Sequence, residues 1–198
     1  MVTIPEFYEL KFEENTHTYT IDGIELPSVT TIMEPLKNRS YSGISESVME
    51  KAAQRGSDVH NSIENYIKFD IIDIPDEYKG YFDAYLKWWN TFHPEVIASE
   101  AKVYHKLLRY AGTIDLVLNI NNEIVLVDIK TTATLKEDLC GVQLEGYYQA
   151  LKSHGILVDK KAILHLSSDG EYKFVMFPSA DAMRWRVFTA LKTIFDYK

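Results

Sequence analysis

A single cysteine, Cys140, occurs among the 198 residues. That scarcity excludes an internal disulfide and any four-cysteine zinc or iron–sulfur site, so no iron–sulfur cluster is expected. A reducing, cytoplasmic compartment is the matching expectation. No apolar run approaches the roughly 18 residues that span a bilayer, so no membrane partner is expected. Met1 to Phe12 lacks the basic flank and the continuous apolar stretch of a secretory signal. Repeats, low-complexity tracts and linkers rich in Pro, Gly or Ser are all missing, which leaves one domain over residues 1–198. Basic residues are outnumbered 21 to 29 by acidic ones, for a net charge of −8. That balance counts against an extended nucleic-acid coat. An enzyme gripping a short stretch of substrate is still allowed, because metal-site carboxylates add to the total and a bound cation offsets them locally.

What is present is an ordinary globular composition, 46% apolar and 25% charged, on a chain long enough to bury a core. Thr18-Tyr19-Thr20-Ile21 and Ile24-Glu25-Leu26 flank Asp22-Gly23, a two-residue hairpin signal closed by Pro27. Ser45 to Phe69 has helical periodicity through Val48, Ala52, Val59, Ile63 and Ile67, with a break or kink expected at Gly56-Ser57. A further helix follows Pro75, carrying Tyr78, Phe82, Tyr85, Trp89 and Phe92 until Pro94. Strands are expected over Val96–His105, Gly112–Ile120 and Ile124–Lys130, then a helix over Leu135–Ser153 ending at Gly155. Strands Lys161–Leu166 and Tyr172–Phe177 come next. A last helix, capped by Ser179, presents Met183, Val187, Ala190, Leu191 and Ile194. The order predicts an α/β fold: a mixed central sheet flanked by helices (95–198), preceded by a hairpin and helical N-terminal half (1–94).

One hairpin carries chemistry. Asn tolerates positive φ, so Asn121-Asn122 can form a two-residue turn that sets Ile120 opposite Glu123. In that register Asp115 lies opposite Asp128, and Thr113 lies opposite Lys130 on the same face. Ile114, Leu116 and Leu118 meet Ile129, Val127 and Val125 on the other. Two facing carboxylates between apolar neighbours repel each other, and a divalent cation with oxygen ligands, Mg²⁺ or Mn²⁺, resolves that. Lys130 adds a second positive group. The alternative is that both aspartates are solvated surface residues. On the metal reading, Asp128→Asn should abolish function and raise the melting temperature in chelator, by removing repulsion.

Gly112-Thr-Ile-Asp115, Val127-Asp-Ile-Lys-Thr131, Gln143-Leu-Glu-Gly-Tyr147 and the upstream Arg55-Gly-Ser-Asp-Val-His60 occur in this order. Together they resemble the PD-(D/E)XK nuclease superfamily, and within it the RecB-like exonuclease branch. His17-Thr-Tyr19, Asp22-Gly23 and Pro27-Ser-Val-Thr-Thr31 look like phage exonucleases and the mitochondrial genome maintenance exonuclease. The resemblance implies a restriction-endonuclease-like core and a Mg²⁺- or Mn²⁺-dependent DNA exonuclease acting on single strands or free ends. It further implies work in phage-type recombination, replication or repair beside a recombination or replication protein, in the cytoplasm of a bacterial host if phage-encoded. It implies that Asp115, Asp128, the Ile129 carbonyl and a nitrogen of His60 hold the metal, and that Lys130 orients and helps deprotonate a water. A lowered Lys130 pKa would suit that proton transfer. Gln143, Tyr147 and Thr131 are implied to face the nucleic acid. The departure from the four-cysteine members of the branch is that Cys140 stands alone.

Other residues carry two readings each. His60 is either a ligand or a core-edge histidine bonded to Glu64, and Glu64 in the first case fixes the imidazole tautomer. Glu100 either adds a carboxylate to the site or pairs with Lys102. Lys51, Arg55, Lys102, Lys106 and Arg109 either hold phosphates or are solvated charges. Trp88 or Tyr81 stands off the aromatic stripe and is a candidate for stacking on bases.

Overall fold

The computed structural model describes residues 2–197. Strands β1 (Leu10–Glu13), β2 (Thr18–Ile21) and β3 (Ile24–Leu26) form a small antiparallel sheet. Asp22 and Gly23 take φ of 53° and 76° at its tight turn, as a hairpin of this twist requires. Two short helices follow that the sequence did not announce, α1 (Val29–Ile32) and α2 (Glu34–Ser40). Ser28 caps the first by accepting the Thr31 N–H at 2.9 Å. Neither is long enough to show a periodic stripe; both are held by tertiary packing.

Helix α3 (Glu46–Phe69) runs unbroken for 24 residues and stops at Asp70 in the left-handed region. The expected break at Gly56-Ser57 is absent. One glycine inside a helix costs about 1 kcal/mol, whereas a break would strand several backbone donors and acceptors. Only the second half of α3 is anchored, by Val59, Ser62 and Ile63; Val48, expected on the buried side, is exposed. A 3₁₀ turn (Asp76–Tyr78) leads into α4 (Lys79–Phe92). Trp88 is fully buried there, so it cannot stack on a base. The helix carries aromatics on most of its circumference, and periodicity alone does not pick the inward side.

The main sheet has the order β4 (Glu95–Tyr104), β5 (Ala111–Ile120), β6 (Glu123–Lys130), β7 (Lys160–Leu166), β8 (Tyr172–Pro178). All pairs are antiparallel except β6–β7, whose parallel crossover is α5 (Glu137–Ser153). The chain closes with α6 (Ala182–Asp196). Its cap is Asp181, which accepts from Met183 and Arg184 N–H at 3.0 Å each, rather than Ser179. Trp185, Phe188, Leu191 and Phe195 turn inward, while Met183 and Ile194 are exposed. The larger aromatic area sets the buried side. Helices α1, α5 and α6 cover one face of the sheet and α3 and α4 the other, giving an α/β/α domain with a core on each side. No helix among the described residues is long and apolar enough to cross a membrane.

Candidate metal centre

Asn121 and Asn122 both have positive φ, 53° and 66°, and the β5–β6 ladder pairs Ile120 with Glu123 as the turn dictates. That ladder ends at Leu116↔Val127. One residue further, Asp115 accepts the Ile129 N–H through Oδ2 at 2.6 Å. A side-chain oxygen has taken an amide of the neighbouring strand, and the two strands separate. On the other flank, Ser99↔Leu116 and Ala101↔Ile114 bracket Glu100 and Asp115. Glu100 sits between them in the left-handed region, φ 50°, a conformation that is uncommon for a residue with a Cβ and carries strain.

The side-chain alternation changes here. Leu116 and Leu118 pack with Val59 and Ile63 beneath α3, as expected with Val125, Val127 and Ile129. Ile114 packs in the opposite core, with Val117 and Leu126. A strict two-residue period had placed Ile114 with Leu116; the twist at Asp115 and Glu100 overrides it. Thr113 accordingly bonds Tyr19 of the small sheet, Oγ1 to the phenol oxygen at 2.8 Å, instead of standing over Lys130.

This rotation carries Asp115 towards α3. His60 Nδ1 lies 3.6 Å from Asp115 Oδ1, and His60 Nε2 is 3.1 Å from the Ile129 carbonyl oxygen. Ligand atoms of His60, Glu100 and Asp115 all lie within 4.8 Å of one another. They line a hole of about 10 Å³ with Glu64, Ser99 and Ile129, room for one water-sized occupant. Burial, and then the Asp115 charge, push the Glu100 carboxyl up to about 7. With Nε2–H donating to the Ile129 carbonyl, His60 turns Nδ1 towards the Asp115 and Glu100 carboxylates. Three side-chain ligand atoms converge there, and a divalent cation fits that donor set. The bonding of His60 to Glu64 is not what forms; Glu64 pairs with Lys68. Glu100, read from sequence as a supporting or Lys102-paired residue, stands in the cluster itself, while Lys102 donates to its backbone carbonyl at 2.9 Å.

Asp128 is buried on the α5 side of β6 and does not line this hole. The ladder stops one rung short of the expected Asp115–Asp128 pair, with Asp115 turned to His60 of α3 and Asp128 to Gln143 of α5. Gln143 Nε2 donates to its Oδ1 at 3.1 Å and contacts the Tyr147 hydroxyl at 3.2 Å. Lys130 Nζ stands 2.6 Å from Asp128 Oδ2 and engages it as an ion pair. Burial, opposed by Lys130 and reinforced by Asp115, raises the Asp128 pKa. For Lys130, burial works downward, but the Asp128 and Asp115 charges outweigh it and the pKa is raised. The lowered lysine pKa expected from sequence is therefore not what the protein groups produce. Gln143 and Tyr147 are buried; they hold Asp128 and do not form an open face for nucleic acid. A Cβ at Gly112 would lie 2.7 Å from Tyr147 Cε1, which explains the glycine two residues into β5.

Thr131 is buried, its Oγ1 3.8 Å from where a Cβ on Gly56 would stand. Arg55 lies over the Tyr81 ring at 5.4 Å and leaves its buried Nε without a partner. Sequence reasoning missed Lys37, which α2 brings close enough to feel the charges of Lys130 and Asp128. Nothing around it in sequence marks it.

No model of a known protein family matches the chain, and no curated protein does. Solved structures do. SSO0001 overlays with a TM-score of 0.51 at 14% identity, covering 89% of this chain and 78% of its own. A putative exonuclease from Eubacterium rectale overlays with 0.51 at 12% identity, covering 87% and 73%. The chain shares their fold. That is the fold the PD-(D/E)XK resemblance implied. The alkaline exonuclease from Laribacter hongkongensis overlays less closely, at 0.43 and 10% identity over 87% and 90%.

Proposed function

We propose that the protein is a divalent-metal-dependent deoxyribonuclease that hydrolyses phosphodiester bonds as an exonuclease, from single strands or DNA ends. The observation that carries this reading is the strand fork at Asp115: it gathers His60, Glu100 and Asp115 around an ion-sized hole, with the Asp128–Lys130 pair alongside. Mg²⁺ or Mn²⁺ suits such carboxylate and imidazole donors. The likeness in fold to a putative exonuclease is in keeping with it.

The metal, when bound, supplies a water of lowered pKa and polarises a phosphate oxygen. Asp115, with His60 and Glu100, would hold it, and Asp128 would offer Oδ2, the oxygen that also carries Lys130. Gln143 fixes the Asp128 carboxylate so that this oxygen keeps one direction. Lys130, held as a charged ammonium by Asp128 and Asp115, orients a water as a donor and opposes the negative charge that grows on the phosphate. Its raised pKa suits a fixed cation better than a proton acceptor. Work in phage-type recombination, replication or repair, alongside a recombination or replication protein, is the setting we propose.

Digestion of closed circular and linearised plasmid in Mg²⁺ tests the reading. Loss of linear DNA with the circle intact is the expected result. Nicking of the circle would make the protein an endonuclease, and two untouched substrates would leave a nucleic-acid-binding module.

A further inference from the structure

Two contacts fix where the middle of α3 lies against the sheet. His60 Nε2 is 3.1 Å from the Ile129 carbonyl oxygen. One turn earlier, on the same face of the helix, Gly56 stands against Thr131, whose Oγ1 is 3.8 Å from where a Cβ would be. Helix α3 therefore runs from the metal cluster outward along the last residues of β6. Arg55, beside Gly56, is about 7.5 Å further out along the helix axis than His60. Its side chain turns towards α4, where the guanidinium carbon lies 5.4 Å from the centroid of the Tyr81 ring.

This arginine is half-buried, and its donors are not spent within the chain. Its Nε is enclosed and has no hydrogen-bond partner. No carboxylate among the described residues lies within ion-pair distance of the guanidinium. The Tyr81 ring steadies the cation and fixes its plane, but it offers Nε no acceptor. A buried charged donor left without an acceptor is costly, and an entering anion removes that cost.

We propose that Arg55 grips a backbone phosphate of the bound strand, one that neighbours the phosphate held at the metal cluster. The assignment rests on the nuclease reading and deepens it by naming a second anchor for the strand. A guanidinium presents paired N–H donors that match phosphate oxygens, and the ring beneath it keeps them aimed. Arg55 and His60 share one helix, so α3 itself sets the spacing between the gripped phosphate and the reacting one. The grip works for any base, because phosphate contacts position a strand without reading its sequence.

The test is the affinity of the full chain for a fluorescent single-stranded oligonucleotide over a salt series in Ca²⁺, with the oligonucleotide verified intact. Arg55→Met keeps an apolar stem against Tyr81 and should weaken binding several-fold. It should also reduce the slope of log K against log salt by about 0.7, the share of one phosphate contact on a single strand. Arg55→Lys should keep the wild-type slope while losing part of the affinity, since a point charge replaces the paired donors. If Arg55→Met loses its melting transition, Arg55→Gln makes the same comparison. A folded neutral variant with wild-type affinity and slope would overturn the assignment and leave the nuclease reading intact. A wild-type chain that neither binds nor cuts DNA would overturn both.

Discussion

The carboxylate of Asp115 accepts the backbone N–H of Ile129 at 2.6 Å, one step past the last rung of the β5–β6 ladder. A strand residue that bonds its neighbour's backbone through its side chain ends the pairing and opens the sheet at that point. The opening matters because both faces of the sheet are otherwise packed. It leaves the Asp115 Oδ1 atom directed at His60 and sets Glu100 opposite a carboxylate. Backbone geometry, ion-sized space and clustered acceptors have one origin.

Asp128 and Lys130 should behave as one unit. Set against the Asp115 charge alone, Asp128 would be expected to gain stability on conversion to Asn. The ion pair at 2.6 Å changes that sign, since Asp128→Asn leaves a largely buried ammonium short of its partner. Removing one partner of a buried pair costs several kcal/mol, while replacing both is often neutral. We expect Asp128→Asn and Lys130→Met each to melt lower in chelator, and the double variant to recover part of the loss. A coupling energy of about 1 kcal/mol or more in urea titrations is the expected result; additive losses would show that the pair does not interact. Cleavage should be abolished in all three.

Glu100 gives a pH dependence whose sign follows from its position. Its carboxyl is raised from 4.5 to about 7 by burial and by Asp115, so the folded state binds a proton that the unfolded state has already lost. In chelator, stability should therefore fall as pH rises from about 5 to about 7, by an amount on the order of 3 kcal/mol. Below pH 4.5 the penalty is absent, because both states are protonated. Glu100→Gln should flatten this limb and be more stable than the wild type at pH 8. Denaturant titrations at pH 5 and pH 8 would check it, and parallel profiles for the two proteins would contradict it.

The parts of this molecule legible in its sequence were those fixed by neighbours along the chain. Asn121-Asn122 names its own turn, and the turn sets the register to Leu116. The mixed sheet follows from strand–helix–strand order around α5. The site was legible as residue types only in part: His60 and Asp115 approach one another, and Asp128 pairs with Lys130. Their directions were not, because the two-residue period assumes an uninterrupted strand, and Glu100 and Asp115 interrupt it. Lys37 was invisible for a different reason. It stands on seven residues of helix whose position depends on Leu36 and Tyr41 finding a distant core.

Metal addition should stabilise the folded chain. A ligand that binds only the native state contributes about 2.7 kcal/mol at a hundredfold excess over its dissociation constant. Mn²⁺ or Mg²⁺ should raise the melting temperature of the wild type by several degrees, and chelator should reverse it. His60→Ala and Asp115→Ala should remove most of this shift, since each deletes a donor from the cluster. Thermal scans with and without metal make the comparison directly. An undiminished shift in both variants would place the ion elsewhere.

Gly112→Ala probes how far the site depends on packing behind it. The backbone at Gly112 does not need a positive φ; what excludes a side chain is the Tyr147 ring, 2.7 Å from the added carbon and itself buried. Overpacking of this kind costs about 1–3 kcal/mol. Relief comes from moving Tyr147, whose hydroxyl contacts the same Gln143 amide nitrogen that holds Asp128 Oδ1. The variant should therefore lose cleavage rate beyond what its reduced stability explains at a temperature where it is fully folded. Gly112→Ala combined with Tyr147→Phe would keep the steric conflict and still fail, whereas Tyr147→Leu in the same background should relieve the clash and recover stability. If Gly112→Ala cuts at the wild-type rate when folded, Asp128 is not positioned through this chain of contacts.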